Sequence, residues 1–289
     1  MTRYWSFVVS AMPVVATYAY LLSSGHITQG WKSLPVFLLA VLGAVVLHAA
    51  GNVLSDWADY RSGVDNENAY AVQNLVFHRF EPREYLIFSI ILFIIGCAAG
   101  LAACLLSTPL LLVIGGIGVV LTILYSWLKY HALGDLDIFI IFGVLTVLGT
   151  TVALTGDIVP QALVLSLPIG IITVSVLHAN NTYDTESDRS AGIKTFAMLI
   201  GLKASAILYQ AYMILPFACI ICAVIAGRLP SLTLLSLIAA IPAWKNFRQA
   251  GTYKTAGLEA MKGLDQASAQ MQLVFSGMLS LTLFISSLL

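Results

Sequence analysis

Nine apolar runs dominate this 289-residue chain, at about residues 5–22, 33–51, 86–107, 109–128, 136–154, 161–178, 204–226, 231–247 and 268–288. A bilayer core roughly 30 Å thick is crossed by about 20 apolar residues wound as a helix, and only helices and closed barrels satisfy every backbone polar group inside lipid. Runs of this length predict an all-α, polytopic membrane bundle of nine transmembrane helices, a single domain over residues 1–289. Pro35, Pro82, Pro109, Pro160 and Pro230 fall where those helices begin or end. The first run reads as a retained helix rather than a cleaved leader. Only Arg3 precedes it as a cation, and Ser23-Ser24-Gly25-His26 makes a poor cleavage site.

Charge is scarce, 14 Lys and Arg against 14 Asp and Glu, so its placement carries information. A net charge of zero leaves no cationic excess for a phosphate backbone, which argues against nucleic acid as a partner. Basic loops stay in the cytoplasm. With the N-terminus inside, 12 of the 14 basic residues lie on the cytoplasmic face of the membrane, Lys32 and Arg228 being outside. The acidic residues did not enter that choice, yet 13 of 14 fall on the same face, Asp157 excepted. Acidic residues contribute little to topology, so this enrichment asks for a chemical cause. Two long connections hold most of them: residues 52–85, with Asp56, Asp59, Asp65, Glu67, Glu81 and Glu84, and residues 179–203, with Asp184, Glu186 and Asp188. Short helices capping the bundle are expected there. Cys97, Cys104, Cys219 and Cys222 all lie inside spans and read as packing residues.

The two connections open alike. Val-Leu-His-Ala stands at 46–49 and again at 176–179, each at the cytoplasmic end of an even-numbered span. Asn52, Asp56 and Asp59 are spaced i, i+4, i+7, and Asn181, Asp184 and Asp188 are spaced i, i+3, i+7. If each span continues as helix past the membrane surface, each triplet occupies one helical face. The alternative is a solvated helix end, where aspartates are common. Carboxylates stacked on one face repel each other, however, and a divalent cation relieves the repulsion. Magnesium takes hard oxygen ligands and binds through one or two carboxylates plus substrate phosphates. Two such faces opposite one another can hold a diphosphate through Mg2+. Arg61, Lys129, Arg189 and Lys194 lie on the same side as cationic candidates, Lys129 and Lys194 foremost. His48 and His178 repeat in register and are assigned no catalytic role.

At these residues the chain resembles the UbiA superfamily of intramembrane prenyltransferases, which have nine helices and two aspartate-rich motifs. Ser55-Asp56-Trp57-Ala58-Asp59 stands where that family has Asn-Asp-x-x-Asp, with Ser55 in place of the Asn, whose role passes to Asn52. Asp184-Thr185-Glu186-Ser187-Asp188 matches the second motif, and Gly192-Ile193-Lys194-Thr195 is also similar. Asp59 to Asp65, Asn180-Asn181, and Leu133-Gly134-Asp135 followed by Phe142-Gly143 are most similar to the menaquinone branch, 1,4-dihydroxy-2-naphthoate polyprenyltransferase. Tyr125-Ser126-Trp127-Leu128-Lys129 is closer to the 4-hydroxybenzoate branch, and the N-terminus has Arg3-Tyr4-Trp5 where the family has Arg-Pro.

The resemblance implies an enzyme that moves a polyprenyl group from a polyprenyl diphosphate to an aromatic acceptor. It implies Mg2+ as cofactor, held by Asp56, Asp59, Asp184 and Asp188 as catalytic metal ligands. Asn52, Arg61, Lys129, Asn181 and Lys194 would bind the diphosphate. A polytopic transporter is the competing reading from another class. Transporters keep coupling residues near the bilayer midplane, whereas here ionisable groups cluster at the ends of the spans. A purely structural role is a third reading, which predicts no magnesium-dependent stabilisation by diphosphate.

Overall fold

The computed structural model describes residues 2–64 and 74–289, and Asp65 and Glu67 of the first connection lie outside them. The described chain is helical. Its principal helices are α1 (Tyr4–Ser23), α2 (Gly30–Ser62), α3 (Pro82–Leu106), α4 (Leu110–Tyr130), α5 (Gly134–Thr155), α6 (Pro160–Tyr183), α7 (Thr185–Ser190), α8 (Phe196–Ile225), α9 (Ala240–Gly251) and α10 (Leu264–Ser286). All except α7 and α9 are long and apolar enough to cross a membrane, so eight of the nine expected spans stand as single spanning helices among the described residues.

The run at 231–247 is the exception. Its first part, Ser231–Ala239, winds as a 3₁₀ helix, and α9 takes over from Ala240. Pro242 has no N–H to give the Ile238 carbonyl, so an α-helical ladder cannot run unbroken through that point. Lys245 and Arg248 then shorten the apolar stretch.

Lipid tails are as apolar as leucine, so helices in a membrane are joined by close packing and buried hydrogen bonds rather than by a hydrophobic drive. Leu21 of α1, Ile169 and Ile172 of α6, Tyr209 of α8 and Phe275 and Leu279 of α10 form the centre of the main core. Across it the Gln272 amide donates to Thr173 Oγ1 at 2.9 Å, and Tyr209 and Ser268 share a hydrogen bond of 2.7 Å. Helices α5 and α6 approach so closely that a Cβ on Gly170 would lie 2.8 Å from the Phe139 ring and 3.1 Å from Gly143 Cα. Alongside this crossing, Phe139–Leu145 widens to a π-helix, which turns Phe142 and Ile141 toward the interior.

α2 continues as helix for 33 residues, carrying Asn52, Asp56 and Asp59 beyond the apolar run on one unbroken rod. The second connection behaves differently. α6 ends at Tyr183, Asp184 forms the junction with φ −81° and ψ 8°, and α7 begins at Thr185. The Thr185 hydroxyl donates to the carbonyls of Thr182 and Asn181, competing with the ladder where the helix breaks. The second triplet is therefore split over two helices rather than aligned on one.

Candidate active site

α2 brings the first motif to the interior. Asp56 and Asp59 are buried. Arg3, at the start of α1, bonds Asp56 Oδ1 at 2.8 Å. Lys129, near the end of α4, bonds Asp59 Oδ2 at 3.3 Å, and the neighbouring Tyr130 hydroxyl donates to Asp59 Oδ1 at 2.6 Å. Two anions taken from water each receive a cation, without which burial costs several kcal/mol per charge.

The second motif reaches the same neighbourhood from α6 and α7. Asp188 is fully buried, with no hydrogen-bond partner on either oxygen, and Asn181 Oδ1 and Asp56 Oδ2 are likewise buried without one. The Asn180 amide donates to Asp184 Oδ2 at 2.9 Å. Burial pushes the Asp188 acid up to about 7, opposed by the charge of Lys129 and reinforced by Asp184 and Asp59. Burial also raises Asp184, to about 6, with Lys129 and Arg3 pulling against it. The two motifs thus share one electrostatic field with Lys129 in it. A parallel bridge between His131 and Lys194, with the Lys194 N–H donating to the Tyr130 carbonyl at 3.1 Å, ties the end of α4 to the segment after the second motif.

A cavity of about 630 Å3 opens from this polar end into the bundle. Arg3, Asn52, Asp59, Lys129 and Asn180 line its polar mouth, and the remaining wall is mainly apolar, from α1 to α6. Asn52 faces the cavity while its amide donates to the Thr2 carbonyl at 3.1 Å.

Of the nine expected site residues, Asn52, Asp59 and Lys129 line the cavity; Asp56, Asn181, Asp184 and Asp188 lie outside its lining, as do Arg61 and Lys194, which are exposed. Arg61 is exposed and stands over the Trp57 ring, 5.4 Å from its centroid. Two residues past Asp59 on the same helix, it is turned about 200° from that carboxylate. The Lys194 side chain is exposed beyond the bridge that holds its backbone. Conversely, Arg3, Tyr130 and Asn180 join the site although the spacing arguments did not select them. Tyr130 adjoins Lys129 in sequence, and Asn180 sits one turn before Asp184. Arg3, in the Arg3-Tyr4-Trp5 start, lies 53 positions from Asp56, too far for any spacing pattern to link them.

His48 and His178 each tie two helices together. His48 hydrogen-bonds Ser10 of α1 at 3.1 Å, and His178 Nδ1 meets Asp135 Oδ2 of α5 at 2.7 Å. The four cysteines are free thiols.

The unpartnered buried oxygens of Asp56, Asn181 and Asp188 are hard donors of the kind magnesium takes. Among the described residues no three His, Cys, Asp or Glu side chains converge tightly enough to hold a metal ion by themselves.

The sequence profile of the UbiA prenyltransferase family matches residues 7–259. UbiA prenyltransferase domain-containing protein 1 of Xenopus tropicalis is 33% identical over 279 residues, covering 91% of this chain and 78% of that protein. The protein of the same name from Homo sapiens is 36% identical over 226 residues, covering 74% of this chain and 64% of its own length. These relatives share the family domain and are not named for the dihydroxynaphthoate reaction to which the motifs are most similar. A UbiA homolog from Aeropyrum pernix K1, solved in its apo form, superposes with a TM-score of 0.74 at 20% identity, covering 96% of this chain and 97% of that one. A UbiA homolog from Archaeoglobus fulgidus, solved bound to GPP and Mg2+, gives 0.65 at 12% identity, covering 97% and 98%. At such identities the likeness is one of fold. The profile match runs from the first helix past the second aspartate motif, and a third of the residues are shared with a frog relative along nearly the whole chain, so the chain belongs to the UbiA prenyltransferase family.

Proposed function

We propose that this protein transfers a polyprenyl group from a polyprenyl diphosphate to an aromatic acceptor, with 1,4-dihydroxy-2-naphthoate the leading candidate, at the cytoplasmic face of the membrane. The observation that carries the reading is that Asp59 and the buried Lys129 stand at the mouth of an apolar cavity, in one electrostatic field with Asp184 and Asp188. In this reading Asp56, Asp59, Asp184 and Asp188 hold magnesium. Mg2+, when bound, neutralises the charge that collects on the departing diphosphate.

The chain's own residues supply the rest. Lys129 and Arg3 are fixed cations in a nearly dry site, where a positive charge aimed at a leaving group acts far more strongly than in water. Asn52 and Asn181 add polar contacts, while Lys194 and Arg61 remain at the outer rim. The apolar wall keeps water from the allylic cation, which would otherwise be captured as an alcohol. His48, beside the cavity and engaged with Ser10 and edge-on to Phe142, fixes the wall against which the acceptor packs.

The reading is tested with purified protein, Mg2+, one labelled prenyl diphosphate and a panel of 1,4-dihydroxy-2-naphthoate, 4-hydroxybenzoate and homogentisate. Alkylation of the naphthoate, lost in Asp56→Ala and in Asp184→Ala, is the expected outcome. Alkylation of 4-hydroxybenzoate alone moves the acceptor to that branch. Full activity in either variant overturns the metal and diphosphate assignment.

A further inference from the structure

Asp265 is an acid that belongs to neither aspartate motif. It stands in the first turn of α10, is buried, and lines the cavity. An acid complements a helix N-terminus equally well from the surface, so that role does not account for a carboxylate buried on a cavity wall. Packing fixes its level in the bundle. The Gln272 amide of α10 bonds Thr173 of α6, and Thr173, Asn180 and Asp265 all line the one cavity, so the two helices run antiparallel there. Seven residues back from Gln272 and seven on from Thr173, about two turns along each helix, Asp265 stands level with Asn180, whose amide holds Asp184. Asp265 lies in the field of Arg3, and its own charge reaches Asp184. The backbone N–H groups of Asp265 and Gln266 donate to it, but a carboxylate has about four acceptor positions, so capacity remains for a donor in the cavity.

One turn further along the same face of α10, Ala269 packs with Val9 and Phe142 in a small apolar cluster bordered by Trp5 and Val176. Trp5, Val9, Phe142 and Val176 line the cavity as well, so an apolar, partly aromatic floor lies directly beside the Asp265 carboxylate. Resting on the function proposed above, we infer that Asp265 binds the hydroxyl of the aromatic acceptor while the acceptor ring lies on this floor. An ionised carboxylate only accepts hydrogen bonds, and the phenolic O–H is the donor that such an acceptor brings. A carboxylate on the acceptor would be repelled, so the hydroxyl edge of the ring faces α10 and a charged edge turns away from it. A hydrogen bond to an anion is roughly twice as strong as one between neutral groups, and it leaves electron density on the ring that attacks the allylic carbon. Asp265 thereby selects phenols over rings of the same shape that have no O–H. Magnesium ligation beside Asp184 is the competing role. Against it, Asp265 borders the apolar floor, and among the described residues no three acidic side chains converge on one point.

The test measures binding to reconstituted protein holding Mg2+ and geranyl thiolodiphosphate, an unreactive donor analogue, so that no turnover intervenes. The probes are 1-naphthol and its methyl ether, alike in the ring and differing in the one O–H. The wild type is expected to bind the naphthol at least fivefold more tightly than the ether. Asp265→Leu and the gentler Asp265→Asn are each expected to lower that preference at least threefold, with affinity for the donor analogue within twofold of wild type. If Asp265→Leu does not fold, Asp265→Asn decides by the same ratio. A smaller preference in the wild type, or a smaller loss in the variants, overturns the assignment. Weaker binding of the donor analogue with the naphthol preference intact makes Asp265 a metal ligand and overturns it too, as does loss of both together, which marks collapse of the site. Prenyl transfer by the wild type is measured separately, so failure of the function proposed above is told apart from failure of this assignment.

Discussion

Lys129→Met is the most informative single perturbation of this site. The lysine is buried on the cavity wall, 3.3 Å from a carboxylate that is itself buried, so the methionine fills nearly the same volume and leaves Asp59 without its cation. Removing one partner of a buried pair costs about 3–5 kcal/mol. The 2.6 Å hydrogen bond from Tyr130 survives and continues to stabilise the anion, which places the expected loss at the lower end, about 3 kcal/mol. That is a factor of about 10² in the folding equilibrium, and for a chain of this size a fall of roughly 6–12 °C in melting temperature. The assay is thermal unfolding of detergent-solubilised protein in EDTA, followed by tryptophan fluorescence. Asp59→Asn in the same background removes the stranded charge, so the double variant should melt above Lys129→Met alone, with a coupling of at least about 1.5 kcal/mol. Both variants should lose prenyl transfer. If Lys129→Met melts with the wild type in EDTA, or the double variant shows no coupling, Lys129 does not compensate Asp59 and the electrostatic account of the site is wrong.

Other outcomes follow from the same geometry. In EDTA at pH 8, Asp188→Asn should raise the melting temperature, because it removes a buried charge with no partner, and should abolish transfer when Mg2+ is restored; a lower melting temperature in EDTA would count against a ligand role. Asp188 and Asp184 have folded-state values raised to about 7 and about 6, above the ordinary 3.8, so the metal-free folded protein binds more protons than the unfolded chain. Their contribution to stability should therefore be fully present below about pH 4 and decline as pH rises toward 7, a slope that saturating Mg2+ flattens. A flat metal-free profile over that window refutes the burial of these acids. His178→Ala strips Asp135 of its 2.7 Å partner inside the bundle and should cost about 2 kcal/mol, seen as a fall of roughly 4–8 °C, without a change in KM for the diphosphate.

Most of the architecture was legible from hydropathy, because lipid forbids unsatisfied backbone and so turns every apolar run of about 20 residues into a helix. The 231–247 run is helical as expected, but in two windings and not as one continuous α-helix. Pro242 accompanies a change of winding that a hydropathy count does not register, and Lys245 and Arg248 shorten the apolar stretch. The aspartate motifs were legible too, through periodicity along α2. Periodicity failed at Asp184, where the Thr185 hydroxyl competes for the last carbonyls of α6 and the helix breaks.

The sequence by itself determined that the chain lives in a membrane, that its few charges fall mostly between the apolar runs, and that two Asn-Asp-Asp clusters follow even-numbered spans. Each of these is a property of order along one chain. Only the tertiary structure decided which cations meet those aspartates. Arg3 reaches Asp56 across 53 positions and Lys129 reaches Asp59 across 70, while Arg61, two residues from Asp59, turns away to Trp57. Neighbours in sequence on a helix point apart by 100° per residue, and partners for a buried charge come from whichever other helix the packing brings alongside.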